Sequence, residues 1–140
     1  MHWSTNYMNF SFVEGGRKPD DGGFDCYGLT RYALHNETGI LLPELPGIVW
    51  HKKDRNDREV AAAIRAFDCT AHGWFPIEDK KQQEFDILII KIIGPFHMGL
   101  AIDEHRFLNI ELGSNTCVES TRNIRWQRRI HACWRHGKFM

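Results

Sequence analysis

A chain of 140 residues with 42% hydrophobic and 26% charged residues has the balance of one folded domain spanning 1–140 with its own core, not of a disordered segment. Lysine plus arginine equals aspartate plus glutamate at 18 each, so nothing in the bulk charge draws the chain to nucleic acid or to an anionic membrane. The longest apolar stretch, residues 87–93, is interrupted by Lys91 and falls far short of the roughly 20 residues a membrane span needs, so no membrane insertion is expected.

The N-terminal residues Met1-His2-Trp3-Ser4-Thr5-Asn6 have no basic stretch followed by an apolar core, which argues against a secretory leader. A Gly-, Pro- and Asp-rich stretch over 13–24 reads as loop. Asp25 then has the position of an N-cap, its carboxylate able to accept from the first free amides of a helix. That helix runs through Cys26, Leu29, Tyr32 and Ala33 and is closed by Gly39 and Pro43. Residues 41–53 read as an extended crossing segment. A second helix is expected over 57–67, carried by Val60, Ala61, Ala62, Ala63 and Ile64.

From residue 85 the pattern changes to strands. Residues 85–93 are a β-branched run suited to a buried strand. Over 97–102, His97, Gly99 and Ala101 fall on one face and Met98, Leu100 and Ile102 on the other. Residues 103–106 read as a turn, 107–112 as the returning strand, 116–119 as another, and 129–135 as the last. Helices first and an antiparallel meander later predict an α+β domain.

The cysteines, Cys26, Cys69, Cys117 and Cys133, contain no CxxC pair. Most read as small buried hydrophobes. Cys69-x-x-His72 and His131-x-Cys133 each lack a second pair at structural-zinc spacing, so neither a metal nor a cofactor is expected.

Cys26 differs from the others by its place on the first turn of a helix, where unpaired amides and the helix dipole favour a thiolate. The same amides can face a developing oxyanion. Gly28, two residues on, costs about 1 kcal/mol inside a helix and signals close approach of another chain segment or of a substrate. Taken alone, a helix-capped thiol is equally compatible with a buried structural cysteine. The small residues beside His97 suggest a face on which the helix packs closely, bringing that imidazole towards Cys26. Asn109, a polar amide between Leu108 and Ile110, fits the third group that a catalytic imidazole needs for its orientation.

Together these residues resemble a family. Ser11-Phe12-Val13-Glu14-Gly15-Gly16-Arg17, followed by Phe24-Asp25-Cys26-Tyr27-Gly28-Leu29-Thr30-Arg31-Tyr32, is similar to the Gly-Gly loop and Asp-Cys-x-Gly-Leu-Val signature of NlpC-type cell-wall cysteine peptidases. Phe85-Asp86-Ile87-Leu88-Ile89 resembles their Gly-Asp-Leu-Leu strand, and His97-Met98-Gly99-Leu100-Ala101-Ile102 their His-Val-Gly-Ile-Tyr. Phe107-Leu108-Asn109-Ile110 sits where the family has Phe-Ile-His-Ala. Gly39-Ile40-x-Leu42-Pro43 and Trp126-x-x-Arg129-Ile130 resemble the phage-tail branch.

The resemblance implies a papain-like core with Cys26 as nucleophile, His97 as base and Asn109 as the residue that orients it. Arg17, Asp25, Tyr27 and Gly28, around the nucleophile, are the candidate substrate-binding residues. The implied substrate is peptidoglycan stem peptide, cut beside a γ-linked D-glutamate, by a protein carried at a phage or phage-like tail tip with other tail-tip proteins as partners. The implied location is the virion, after synthesis in the host cytoplasm. A structural module of that tail tip, with the fold but little activity, is the alternative.

Three departures bear on this. Phe12 stands where the family usually has a tyrosine and has no hydroxyl to donate, so that either activity is weaker or the role passes to Tyr7 or Tyr27; Asn109 replaces the commoner histidine; and Phe85 replaces the glycine of the Gly-Asp opening. The basic residues Arg122, Arg125, Arg128, Arg129 and Arg135 read either as a solvated face or as a groove for carboxylate-rich peptides.

Overall fold

The computed structural model describes residues 2–43, 73–91 and 96–140, with Phe96 described in its backbone alone. The helix expected at 57–67, the crossing segment from residue 44 onward, the end of the 85–93 strand and the Cys69-x-x-His72 pair lie outside these residues.

The N-terminal residues form a short 3-10 turn, Trp3–Tyr7, capped by the ring of His2. Strand β1 (Ser11–Phe12) pairs in parallel with β2 (Gly23–Phe24), so the stretch expected to be loop ends in a strand. Two-residue strands have no periodicity to betray them, and the glycines that mark the stretch as loop are what let its backbones stack. An ideal Cβ on Gly23 would lie 2.0 Å from the Ser11 carbonyl oxygen, and one on Gly16 2.2 Å from that of Gly23.

Helix α1 (Cys26–Thr38) starts and stops where its local chemistry dictates. The Asp25 carboxylate accepts from the Gly28 amide at 2.7 Å, and Gly39, at φ 78°, donates its N–H to the His35 carbonyl. Strands β3 (Trp74–Pro76), β4 (Ile87–Lys91), β5 (Phe96–Ala101), β6 (Arg106–Asn109), β7 (Cys117–Ser120) and β8 (Ile130–His136) form an antiparallel sheet in the order β3-β8-β4-β5-β6-β7. The returning strand ends at Asn109, not at residue 112, and β3 on the sheet edge is unforeseen in the sequence. One helix laid on an antiparallel sheet is the expected α+β architecture.

The sheet has two buried faces. Tyr27, Leu29, Ala33 and Leu34 of α1 pack with Ile87, Ile89, Met98, Leu100, Leu108 and Ile110. On the other face Leu88, Ile90, Phe107, Trp126 and Cys133 form a second cluster. The helix therefore lies on the Met98 and Leu100 face, and the expectation that it packs on the His97, Gly99 and Ala101 face is corrected. The smallness of Gly99 serves Phe107, whose ring an ideal Cβ would approach to 2.6 Å.

Phe85 precedes β4 with φ 69°, the left-handed region where glycine is the unstrained choice. Its ring is held between Trp3 at 5.1 Å and Phe139 at 5.5 Å, stacked on both, so aromatic packing offsets the backbone cost. Next to it, the fully buried Asp86 carboxylate accepts from Arg135 Nε at 2.9 Å and Nη2 at 2.8 Å, from the Gln83 amide at 2.9 Å and from the Cys133 thiol at 3.3 Å. A buried charge needs that many donors, and these join the start of β4 to β8.

Candidate active site

The site is built from two parts. The first is the junction between the 13–24 stretch and α1. Asp25 is both cap and ion-pair partner: Arg17 Nη1 reaches its Oδ1 at 2.6 Å, and the Gly15 amide reaches Oδ2 at 3.2 Å. The same Arg17 nitrogen donates to the Gly16 carbonyl at 3.0 Å, and its guanidinium lies 5.3 Å from the centre of the Tyr27 ring. A close approach of the kind expected at Gly28 is made by this chain's own Gly16. An ideal Cβ there would lie 1.8 Å from the Gly16 carbonyl oxygen. Gly28, Gly16 and Gly23 thus stack backbone on backbone and set where the helix begins.

Tyr27 is fully buried, and its hydroxyl donates to the Pro43 carbonyl. Arg31 Nε donates to the neighbouring Leu42 carbonyl at 2.9 Å. Tyr7, also buried, donates its hydroxyl to Glu37 at 2.6 Å. The hydroxyls of the two tyrosines expected to stand in for one at Phe12 are therefore engaged at Pro43 and Glu37.

Cys26 itself is 2% exposed. Burial, followed by the charge of Asp25, pushes its thiol up to about 12, while the amides of Met98 and Tyr27 and the Arg17 charge pull the other way. Desolvation outweighs the helix-terminus effect here, so the resting thiol is neutral at neutral pH. The Met98 amide that faces the sulfur belongs to the peptide joining His97 to Met98, which brings Cys26 against the backbone of the β5 segment that carries His97.

The second part lies on the other face of that strand. His97, 6% exposed, hydrogen-bonds through Nε2 to Asn109 Oδ1, across the β5–β6 pair. Because an amide oxygen only accepts, Nε2 carries the proton and Nδ1 keeps its lone pair. The Asn109 amide nitrogen donates to Glu111 Oε1 at 3.1 Å, and Glu111 Oε2 accepts from Arg125 Nη2 at 2.5 Å. Trp126 closes this face. Its buried ring stacks on His97 at a centroid separation of 6.1 Å, meets Phe107 edge-on, and donates its N–H to Glu119 at 3.1 Å. Burial holds the His97 imidazole below its usual range, against the Asn109 bond and the Glu111 charge, which favour the protonated ring.

The structure thus joins His97 to Asn109 directly and seats Cys26 against the same strand. No hydrogen bond joins the Cys26 thiol to the His97 ring among the described residues. Glu111, Arg125 and the ring of Trp126 complete the arrangement, and sequence reasoning assigned them no part in it. For Glu111 a signal was present, since it lies two residues beyond Asn109, on the same face by strand alternation.

A cysteine at the first turn of a helix thus lies against one face of a strand that presents a histidine–asparagine pair on its other face. Residues 9–135 match the NlpC/P60 family model, and the chain belongs to that family. Among solved structures it resembles a protein described as similar to lipoprotein, NLP/P60 family, from Staphylococcus aureus subsp. aureus Mu50, with TM-score 0.64 and 19% identity over 96% of this chain. The match spans 39% of the staphylococcal protein. It also resembles the NlpC/p60 domain of the peptidoglycan hydrolase SagA, with TM-score 0.55 and 20% identity over 94% of this chain and 91% of that one. No curated protein matches the sequence.

Proposed function

We propose that this chain is a cell-wall hydrolase, a cysteine peptidase that cleaves peptidoglycan stem peptides. The observation that carries the reading is a helix-capped Cys26 seated against the strand that carries the His97–Asn109 pair, in a member of the NlpC/P60 family. The solved relative titled a peptidoglycan hydrolase supports the substrate class.

In this mechanism the substrate enters and His97 Nδ1 takes the proton of the Cys26 thiol as the sulfur attacks the scissile carbonyl. The Cys26 backbone N–H, at the first helical position with no intrahelical acceptor, stabilises the oxyanion. The imidazolium returns its proton to the leaving amine, and the acyl-enzyme is released by a water activated at the same nitrogen. Asn109 Oδ1 holds the Nε2–H throughout. Since burial raises the thiol and lowers the imidazole, both are neutral at rest, and the proton moves only when substrate is bound.

We further propose that the protein works at a phage or phage-like tail tip, within the virion and beside other tail-tip proteins, cutting next to γ-linked D-glutamate. Support comes from Gly39-Ile40-x-Leu42-Pro43 and Trp126-x-x-Arg129-Ile130, which resemble the phage-tail branch. A second reading, a structural module of that tip, is favoured by the closed thiol and by Phe12, which has no hydroxyl to offer.

Purified protein incubated with muropeptides, alongside Cys26→Ala and His97→Ala, separates the two. New cleavage products, seen by mass, from wild type and from neither variant support the peptidase. Intact muropeptides of several wall types in all three samples would leave the structural module. Alkylation by iodoacetamide tests the neutral resting state: its rate should climb through about pH 9 without a plateau. An inflection near about pH 5 would instead mark a preformed thiolate–imidazolium pair.

A further inference from the structure

The Asn109 side chain can meet the His97 ring in either of two ways. Its amide has an oxygen and a nitrogen of nearly equal size on either side of one bond, and rotation by half a turn exchanges them. With Oδ1 towards the ring, Nε2 must carry the proton and Nδ1 is free to act as base. With Nδ2 towards the ring, Nε2 must accept, the proton moves to Nδ1, and the base is lost. The His97–Asn109 contact alone does not choose between these states.

We propose that Glu111, braced by Arg125, is a positioning residue that selects the productive orientation of Asn109 and through it the basic tautomer of His97; this rests on the reading of His97 as the base. A carboxylate is an acceptor only, so it binds the Nδ2–H group, which it does at 3.1 Å, and rejects the oxygen. Its other oxygen takes the Arg125 guanidinium at 2.5 Å, which fixes the carboxylate in place. The Glu111 amide accepts a further constraint by donating to Ser114 Oγ at 3.2 Å, while Ser114 Oγ donates back to the Glu111 carbonyl at 3.0 Å. Arg125 lies over the Trp126 ring at 4.3 Å, and that ring stacks on His97. The line His97–Asn109–Glu111–Arg125 therefore runs from a buried imidazole to an exposed guanidinium, with the indole as its floor. The charges that act on His97 are those of Glu111 and Arg125, and they act in opposite directions.

The test uses Glu111→Gln, which keeps the shape but offers Asn109 either an oxygen or a nitrogen, and Arg125→Met, which leaves Glu111 unbraced. Muropeptide hydrolysis should lose about tenfold in kcat with Glu111→Gln at little change in KM. Its acidic limb should move to lower pH, because a negative charge near the imidazole is gone. Arg125→Met should lose less and move the limb the other way. Nitrogen-15 NMR of the imidazole gives a readout independent of turnover. Wild type should show His97 protonated at Nε2, and Glu111→Gln a mixture of both tautomers.

If Glu111→Gln keeps the wild-type rate, limb and tautomer while Cys26→Ala and His97→Ala are inactive, the positioning role is wrong and the peptidase reading survives. If wild type itself cleaves nothing, the peptidase reading fails, and the tautomer comparison still decides the role of Glu111. Should Glu111→Gln fold poorly, Glu111→Ala takes its place and should show the same mixture of tautomers, while Glu111→Asp, which retains an acceptor-only group, should restore the Nε2–H form.

Discussion

The Asp25–Arg17 pair beside Cys26 and the Glu111–Arg125 pair behind His97 are almost the same length, 2.6 and 2.5 Å, in different surroundings. The Asp25 side chain is 3% exposed and has two backbone amides besides the arginine, whereas Glu111 and Arg125 are 24% and 50% exposed. Arg17 is itself 25% exposed, so water screens the second pair more strongly than the first without leaving the first dry. Their contributions therefore fall in different places: the buried pair holds the helix start and its loop in one geometry, while the exposed pair contributes little to folding and acts on the orientation of one amide. Equal distances do not mean equal roles.

The comparison can be broken most forcefully at the junction. Gly28→Ala places a Cβ into the Gly16 carbonyl, which cannot move without displacing the Gly23 and Ser11 backbones behind it. A loss of about 3 kcal/mol in unfolding free energy, read as a lower denaturant midpoint, is expected, near the upper end for overpacked cores. A variant as stable as wild type would show that the glycine stack is loose.

Asp25→Ala comes next. It removes a cap and leaves the partly buried Arg17 without its carboxylate, for an expected loss of about 2 kcal/mol by urea unfolding. Glu111→Gln, by contrast, should cost less than about 0.5 kcal/mol in the same assay while lowering activity. If the two substitutions destabilise equally, the distinction between the pairs collapses.

The smallest effect concerns pH. Unfolded His97 takes up a proton near 6.5, and folded His97 only at lower pH because burial disfavours the imidazolium. Between those values the unfolded state binds more protons, so stability is full above 6.5 and falls as pH drops towards the folded value. His131 is displaced in the same direction and adds to the same window. The change in unfolding midpoint between about pH 8 and about pH 5 should therefore be smaller in His97→Gln than in wild type, the difference isolating His97. An identical change in both would assign the effect elsewhere.

What was legible in the chain was local. The Asp25 cap, the helix opening at Cys26 and the Gly39 stop each depend on a few neighbouring residues, and the sheet-forming runs showed their alternation plainly. The partnership of His97 with Asn109 could be guessed because Asn109 breaks an apolar run and His97 shares a face with the small residues of the neighbouring strand. What was misread depended on contacts between distant segments. The small face of β5 looked made for a helix, but Phe107 and Trp126 occupy its side of the sheet, brought there by the β6 return and the 121–129 turns. The pairing of Arg17 with Asp25, eight residues away across a loop, leaves no periodic trace and was not foreseen. Phe85 looked like a mere replacement for glycine, and only its left-handed backbone shows what aromatic packing from both ends of the chain compensates.

The glycine stack has one more consequence. Where Gly16 meets Gly28, each residue offers the other bare main chain, and the peptide unit is the same whatever the neighbouring side chains become. This shoulder of the site is thus insulated from sequence drift: substitutions around it can remodel what the site recognises without moving the frame from which the sulfur is presented. An engineer wishing to redirect this protein would leave that shoulder alone and work from the opposite rim.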